Sequence, residues 1–373
     1  MNAKSIQANA FGDYIRRLRG TQSLTQREFA RRLGISAPYL NDIEKGNRSA
    51  PRKDLLNFMC STLNADPNTF FDLAGLSRNS IPADIETMIE KSPETISLLR
   101  AIHDFQPNEG QLQKIRENLM AEQTSAIIIA AGMGSRLMPL TNDRPKCMLE
   151  FGGMTLLERQ IRAYHDCGIK DISIVRGYQK DKINYPDCTY YENEQYQENN
   201  ILHSLFFARE AINGHVICAY SDILFESRVV ARALESSHDI AIVVDIDWRD
   251  YYLDRKDHPL DEAETVIFDA DNRVAKIGKI LTERDDVHGE FIGMLKLSPK
   301  GCIIFRNHFD RAKALYANKP FQRAEIFEKA YLTDMIQELV DLGVPVHTII
   351  IERGWKEIDT VEDYEKALLS FKG

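Results

Sequence analysis

Apolar residues follow two different rhythms along the chain. Up to about Ser77 they recur at helical spacing in short bursts: Tyr14, Ile15 and Leu18, then Phe29 and Leu33, then Tyr39, Leu40 and Ile43. Steps of three and four line up on one side of a helix. The punctuation fits. Thr25 stands at an N-cap position, Gly34 ends that helix, Ser36 caps the next, Pro38 enters its first turn and Gly46 closes it. Two short helices across a tight Gly-Ile turn predict a helix-turn-helix within an all-α domain over 1–77.

Between 78 and 123 the rhythm thins. Ile85, Met88 and Ile89 mark one helix, Ile96, Leu98, Leu99 and Ile102 a second, and Leu112, Ile115 and Leu119 a third, with "QPNEG" separating the last two. Stripes this narrow enclose no core of their own, so this helical connector is expected to pack on a neighbour, either the first domain or a second subunit. From 124 onward the pattern turns to continuous apolar runs: "AIIIAAG", "DISIV" at 171–175, "HVICAYSD" at 215–222 and "DIAIVV" at 239–244. Such runs form strands buried on both faces, and helical segments around 156–167 and 202–212 lie between the first three. The alternation predicts an α/β doubly wound, Rossmann-like sheet over 124–373.

Composition narrows the classes. The 373 residues are 43% hydrophobic and 28% charged, which allows two domains and a large core. No apolar run approaches the roughly 20 residues of a membrane span, and "MNAKSIQANAFGDY" lacks the apolar stretch of a signal peptide. The six cysteines are scattered without zinc spacing, so reduced thiols in a cytoplasmic protein are expected. Charge is uneven. Over 1–77 eleven Lys and Arg stand against seven Asp and Glu, a surplus of four, which leaves −13 on the remainder of a chain whose total is −9. A basic head on an acidic body points to two kinds of partner, one of them polyanionic.

The candidate chemistry begins at "SAIIIAAGMGSRLMPLTNDRPKCMLEFGG", 125–153. A glycine turn at the carboxyl end of a first strand is where phosphates bind in such sheets, because Gly132 and Gly134 let backbone N–H groups come close. Taken alone, G-x-G also fits a dinucleotide fold. Arg136 within the loop and Pro145-Lys146 behind it oppose that reading. Hydride transfer needs neither cation there, whereas nucleotidyl transfer needs both, since its transition state and departing pyrophosphate are polyanions.

Two resemblances sharpen this. The stretch "LTQREFARRLGISAPYLNDIEKG" resembles the Cro/repressor-like, XRE-type regulators, over about Phe11 to Gly75. The resemblance implies a DNA-binding domain, with Gln26 and the helix beginning at Ala37 meeting DNA. Ala37, Pro38, Tyr39 and Asn41 would face bases, and Lys45, Arg48, Arg52 and Lys53 phosphates. It also implies a homodimer. A module that now contacts only protein is the competing reading, since the base-facing positions are small or neutral and Asp42 adds repulsion.

The pattern G-x-G-x-R-x-x-P-x-T…P-K-x-M (Gly132, Gly134, Arg136, Pro139, Thr141, Pro145, Lys146, Met148) resembles the sugar-nucleotide pyrophosphorylase superfamily. "ENEQYQENNILHSLFFA", "AYSDILF", "IGK", "GEFIGMLKLS" and "GWKEIDTVEDY" resemble its phosphocholine and 2-aminoethylphosphonate cytidylyltransferase branch. The resemblance implies CTP bound by Ala131, Gly132, Gly134, Ser135, Arg136 and Lys146. Lys146 would neutralise the α-phosphate and Arg136 the β- and γ-phosphates. Asp222 and Asp359 would bind Mg2+, and Lys279 the phosphate or phosphonate of the acceptor. An ordinary turn aspartate and a helix N-cap are the competing readings of the two aspartates.

Asp247, Trp248 and Tyr252, with Glu290 and Phe291, form an aromatic and acidic cluster in the sequence that suits an ammonium group better than a hexose. Core aromatics and solvated carboxylates are the alternative. The reading that results is a Mg2+-dependent cytidylyltransferase that activates a small phosphorylated or phosphonate amine, fused to a DNA-binding head. A regulator that senses such a ligand without turning it over, or a sugar-1-phosphate nucleotidyltransferase, are the rival readings.

Overall fold

The computed structural model describes residues 3–91, 93–252, 255, 257, 260–279 and 287–370, in two units, Met1–Asn108 and Glu109–Gly373. The first unit is helical: α1 (Ala3–Thr21), α2 (Gln26–Arg32), α3 (Ala37–Glu44), α4 (Lys53–Thr62), α5 (Pro67–Arg78), α6 (Ala83–Lys91) and α7 (Pro93–Phe105). Its caps are the ones the sequence marks. Thr25 Oγ1 accepts from Glu28 N at 3.2 Å and Ser36 Oγ from Tyr39 N at 3.3 Å. Phe11, Ile15, Phe29, Leu40, Ile43, Met59 and Phe70 fill the centre, with Phe11 edge-on to Phe70 at 5.2 Å between ring centroids.

Among the described residues of this unit one charge is buried. Glu44, 3% exposed, accepts from Arg19 Nε at 2.8 Å and from Gln26 Nε2 at 2.9 Å. A buried carboxylate persists when its oxygens are paired in this way. The pairing ties the start of α2 to the end of α3 and fixes the angle of the helix-turn-helix.

The second unit opens with α8 (Glu109–Glu122) and β1 (Thr124–Ala130), followed by the short β2 (Glu150–Phe151) and β3 (Met154–Thr155). Then come α9 (Leu156–Asp166), β4 (Ile172–Arg176), β5 (Cys188–Glu192), α10 (Ile201–Phe207), β6 (His215–Tyr220), β7 (Ile223–Phe225), α11 (Ser227–Glu235), β8 (Ile240–Asp245) and α12 (Arg249–Tyr252). The chain closes with β9 (Thr265–Phe268), β10 (Val274–Gly278), β11 (Gly289–Leu297), α13 (Pro299–Tyr316), α14 (Leu332–Asp341), β12 (His347–Ile351), β13 (Trp355–Glu357) and α15 (Val361–Ser370).

Among the described residues nine strands form one sheet, ordered β10-β9-β11-β6-β1-β4-β5, with β8 on β11 and β12 on β8. β6, β1, β4 and β5 are parallel to one another, and β12 is parallel to β8. β11 runs antiparallel to β6, β8 and β9. β10 in turn runs antiparallel to β9, so the doubly wound expectation holds with two reversed strands, β10 and β11, set into the sheet.

Alternation along β1 shows why the run is apolar throughout. Ile127 and Ile129 belong to one core, with Leu202, Leu205, Phe305 and Phe327. Ala126 and Ile128 belong to the other, with Leu157, Ile161, Tyr164 and Val229. A strand covered on both faces has no position for a polar side chain. Because β1 lies between β4 and β6, the chain leaves it at a point where the strand order reverses, and a crevice opens there. Of the connector helices, α8 places Ala121 in the second core, while Leu98, Leu99, Leu112, Ile115 and Leu119 are exposed. No helix among the described residues is long and apolar enough to cross a membrane.

Close packing around Gly12 gives a test of the first unit. A Cβ there would stand 2.5 Å from Ile43 O and 2.7 Å from Glu44 O, both backbone atoms of α3. Gly12→Ala should destabilise this unit by about 1–3 kcal/mol, the usual cost of overpacking. Chemical unfolding followed by helical circular dichroism measures it, and an unchanged midpoint would contradict this packing.

Candidate active site

The loop after β1 is built to bring cations to the sheet edge. Gly134 has φ +67°, and a Cβ on it would stand 2.7 Å from Lys146 Cβ. Only glycine both adopts that backbone and lets the lysine pass. Thr141, fully buried, donates from Oγ1 to Gly134 O at 3.0 Å. Tyr178 Oη donates to Thr141 O and Asn142 O at 3.1 and 3.0 Å. The loop is thus fastened to the sheet at several points.

Asp222 follows β6, and Asp359 lies between β13 and α15. They are far apart in sequence, yet β7 and β13 pair antiparallel with Ile223 opposite Glu357, and Ile358 N donates to Asp222 O at 2.8 Å. Gln160 Nε2 holds the Asp222 turn through Tyr220 O and Ile223 O at 2.8 and 2.6 Å. Beneath, Leu137, Leu149, Leu156, Leu224 and Ile358 join the glycine loop to the Asp359 turn in one apolar cluster.

Lys146 is the meeting point. Its Nζ lies 2.9 Å from Asp222 Oδ2 and donates to Asp359 Oδ1, and Arg136 donates to Asp359 Oδ2. Burial alone would lower the lysine pKa, but the two carboxylates outweigh it and hold it above its usual value. Asp222 Oδ1 is buried without a hydrogen-bond partner. Among the described residues no group of three metal-ligating side chains occurs. Two aspartates, one with an unused buried oxygen, fit Mg2+, which keeps waters and substrate phosphates as its other ligands.

These residues line one end of a cavity of about 590 Å³. Gly132, Gly134, Ser135, Arg136 and Lys146 form that end; Ala131 is buried behind it, its carbonyl accepting from Tyr178 N at 3.1 Å. The wall also carries Glu262, Glu264, Glu290, Phe291 and Tyr331, and Glu357 lines it beside the Asp222 turn. Lys279 is there too, donating to Glu262 and standing 5.8 Å from the Tyr331 ring centroid.

Comparison with known proteins agrees with this architecture. A MobA-like NTP transferase domain matches residues 126–284 and a helix-turn-helix domain residues 10–70. The CTP:phosphoglutamine cytidylyltransferase of Campylobacter jejuni is 32% identical over 255 residues, 65% of this chain and 98% of that one. The chain belongs to the cytidylyltransferase family. Shorter matches reach the 2-aminoethylphosphonate cytidylyltransferase of Lancefieldella rimae, 37% identical over 25% of this chain and 39% of that one. They also reach the choline-phosphate cytidylyltransferase of Streptococcus pneumoniae, 33% identical over 27% and 46%. A solved CTP:phosphocholine cytidylyltransferase from S. pneumoniae has the same fold, with TM-score 0.51 and 22% identity over 67% of this chain and 100% of that one.

Three of the residues expected at the acceptor lie elsewhere in this cytidylyltransferase. Trp248, 1% exposed, packs with Tyr252, Ala263 and Val287 in a small separate core and does not line the cavity. Tyr252 is buried as well, and its hydroxyl donates to Glu290 from behind the cavity wall. Asp247 is exposed beyond β8, its N–H donating to Asp245 Oδ1 at 3.0 Å. The segment after β8 turns Trp248 and Tyr252 into the protein, where their area is worth most. Glu290, Phe291 and Lys279 do reach the cavity. Sequence reasoning missed Glu262, Glu264, Glu357 and Tyr331. Glu357 had a signal, standing two residues before Asp359 in "KEID"; the others had none.

In the helix-turn-helix of the enzyme, Pro38, Lys45 and Arg48 are exposed and Gln26, Ala37, Tyr39 and Asn41 half-buried. Arg48 stacks over the Tyr39 ring at 5.0 Å, and Gln26 is held by Glu44.

Two carboxyl groups of the cavity wall have pKa values raised toward physiological pH. Burial pushes Glu290 up to about 8 and Glu264 up to about 7, against the opposing effects of Tyr252 and Arg255 on the first and Thr333 and Arg323 on the second. Glu290 Oε2 is buried without a hydrogen-bond partner. Both folded values lie above the unfolded ones, so their contribution to stability is complete at low pH. It is lost as pH rises through about 7 for Glu264 and about 8 for Glu290. Glu290→Gln should therefore flatten the fall in stability of the ligand-free enzyme between about pH 6 and 8. Thermal unfolding across that range tests this, and a variant whose curve keeps the wild-type slope would overturn it.

Proposed function

We propose that the enzyme transfers CMP from CTP to a small phosphate- or phosphonate-bearing acceptor that also carries an N–H-donating cationic or amide group, releasing pyrophosphate. The observation that carries this reading is the cavity wall itself, which holds the glycine loop, Arg136 and Lys146 together with Lys279, Glu262, Glu264 and Glu290. A polyphosphate suits the cations and the glycine N–H groups. An acceptor with an anionic head and an ammonium tail suits Lys279 and the glutamates.

In this reading Lys146 neutralises the α-phosphate as the acceptor oxygen adds to it, and Arg136 holds the β- and γ-phosphates as the P–O bond to pyrophosphate breaks. Lys279 takes the acceptor phosphate or phosphonate. No protein nucleophile is required, because the acceptor oxygen is already anionic and positioning with charge neutralisation suffices. Asp222 and Asp359 would hold Mg2+, which when bound supplies further positive charge to the phosphates.

Glu264 and Glu290 give the acceptor end its preference. Their oxygens seek donors: a primary ammonium offers three N–H bonds and a quaternary one none. That favours 2-aminoethylphosphonate, or an acceptor with an amide such as phosphoglutamine, over phosphocholine. The first unit binds DNA in this reading, as a dimer on a two-fold site, with Lys45 and Arg48 on phosphates and Pro38, Tyr39 and Asn41 toward bases.

Pyrophosphate release is the decisive measurement. Asp222→Ala and Asp359→Ala should abolish most turnover, and Lys146→Ala should lower kcat by roughly two to three orders of magnitude. Wild-type rates in any of the three would refute these roles. With CTP held constant, kcat/KM for 2-aminoethylphosphonate and phosphoglutamine should exceed that for phosphocholine. Equal use of a hexose 1-phosphate would show that the acidic end does not select the acceptor. For the first unit, Arg48→Ala should weaken DNA binding across sequences and lower its salt dependence by about one phosphate contact. Footprinting that finds no enriched two-fold site at low salt would refute the DNA reading.

A further inference from the structure

The turn that carries Asp359 is held in an unusual way. Thr360 is the N-cap of α15 and Asp363 stands three residues on, the arrangement of a capping box: Asp363 N donates to Thr360 Oγ1 at 3.2 Å and Thr360 N to Asp363 Oδ2 at 3.0 Å. Here the box does more than close a helix. The same Oδ2 accepts from Asp359 N at 3.1 Å, so one carboxylate oxygen fixes the backbone of the residue that faces Lys146.

That carboxylate is itself clamped. Arg255 donates from Nε to Asp363 Oδ1 at 2.8 Å and from Nη2 to Oδ2 at 2.9 Å. The two side chains are only 2% and 1% exposed. Arg255 lies just after α12, whose last residue, Tyr252, is buried away from the cavity. Its guanidinium lies 4.9 Å from the Tyr252 ring centroid, and a second strap ties Asp257 N to Glu362 Oε2 at 2.9 Å. An N-terminal cap works in open solvent with no cation behind it. Burying a bidentate arginine against one is costly, and its return is geometric: the cap carboxylate is denied any other rotamer.

We propose that Asp363, clamped by Arg255, is a positioning residue for Asp359, and that this buried pair sets the affinity of the site for its divalent cation. The inference rests on the assignment of Asp359 to the metal. Asp363 touches neither cation nor substrate. It acts through the backbone of Asp359, so its loss moves the carboxylate relative to Asp222 and Lys146 rather than removing a ligand.

The test uses the full chain, with Mn2+ as probe, and reads the Mn2+ dissociation constant in the presence of CTP by electron paramagnetic resonance. Asp363→Asn and Asp363→Ala should raise that constant by about 10- to 100-fold, as the loss of a group orienting a metal ligand does elsewhere. KM for the acceptor should move much less. Asp363→Glu keeps the charge and a favoured capping residue and should recover most of the affinity.

A purely structural role is separated by the double variant Arg255→Met/Asp363→Leu. Replacing a buried ion pair with apolar residues generally preserves stability. The lost bonds from Asp359 N and Thr360 N lower Tm somewhat; positioning predicts that Mn2+ binding stays weakened well below that Tm, whereas a purely structural role predicts wild-type Mn2+ affinity in the folded variant, which would overturn the proposal. Asp359→Asn is the reference. If it leaves Mn2+ binding unchanged, the metal assignment itself is wrong. If it weakens binding while the Asp363 variants stay within twofold of wild type, the positioning role alone is wrong.

Discussion

A single ammonium between two carboxylates organises the catalytic unit. Asp222 and Asp359 come from turns after different strands, and at the wall of a recessed cavity they would repel each other if nothing stood between them. Lys146 in the same wall would be poorly solvated if nothing paired it. Each group makes the others tolerable there, so the three must arrive together or not at all. That requirement explains features that otherwise look unrelated: a glycine without a Cβ opposite Lys146, a buried threonine holding the loop carbonyl, and a two-strand ladder joining distant turns. Charge complementarity also prepares the site for its work, since groups that balance one another in the free protein can rebalance around a polyphosphate without large movement.

The sheet supplies the stiffness this needs. Two cores grip β1 from opposite faces, and densely packed interiors resist small displacements. A loop leaving such a strand inherits its precision. The helical unit solves a smaller version of the same problem, with Glu44 buried between Arg19 and Gln26 to fix the helix-turn-helix angle.

How much of this could be read in advance depended on distance along the chain. That Gly132, Gly134, Arg136 and Lys146 share one cavity wall was legible because they form one local segment, where turn geometry dictates residue types at fixed spacing. The caps at Thr25 and Ser36 were legible for the same reason. Asp222 and Asp359 were visible as candidates, but not their shared bond to Lys146, which depends on a strand pairing no pattern announces. The acceptor end was misread in part. A dense run of aromatics and acids around Trp248 has one appearance whether it lines a pocket or fills a core, and only burial separates the two. Glu264, ahead of a strand, looked like any solvated glutamate until folding placed it against Phe291, whose N–H donates to Glu264 O at 2.8 Å. The reversed direction of β11 was likewise hidden, since an apolar run carries no sign of polarity.

That reversal separates the site into two inheritances. A parallel strand delivers its last residues to the crevice, so the nucleotide end is made of strand exits and belongs to the common frame of the sheet. β11 runs the other way and delivers its first residues, Gly289 to Phe291, to the same edge. The Glu290 and Phe291 part of the cavity wall is therefore built from a strand's entrance, whose first residues pair with β8 and β9 and not with β6, β1 or β4. Side chains at that entrance can differ in chemistry without touching the strand exits that carry the glycine loop and Asp222.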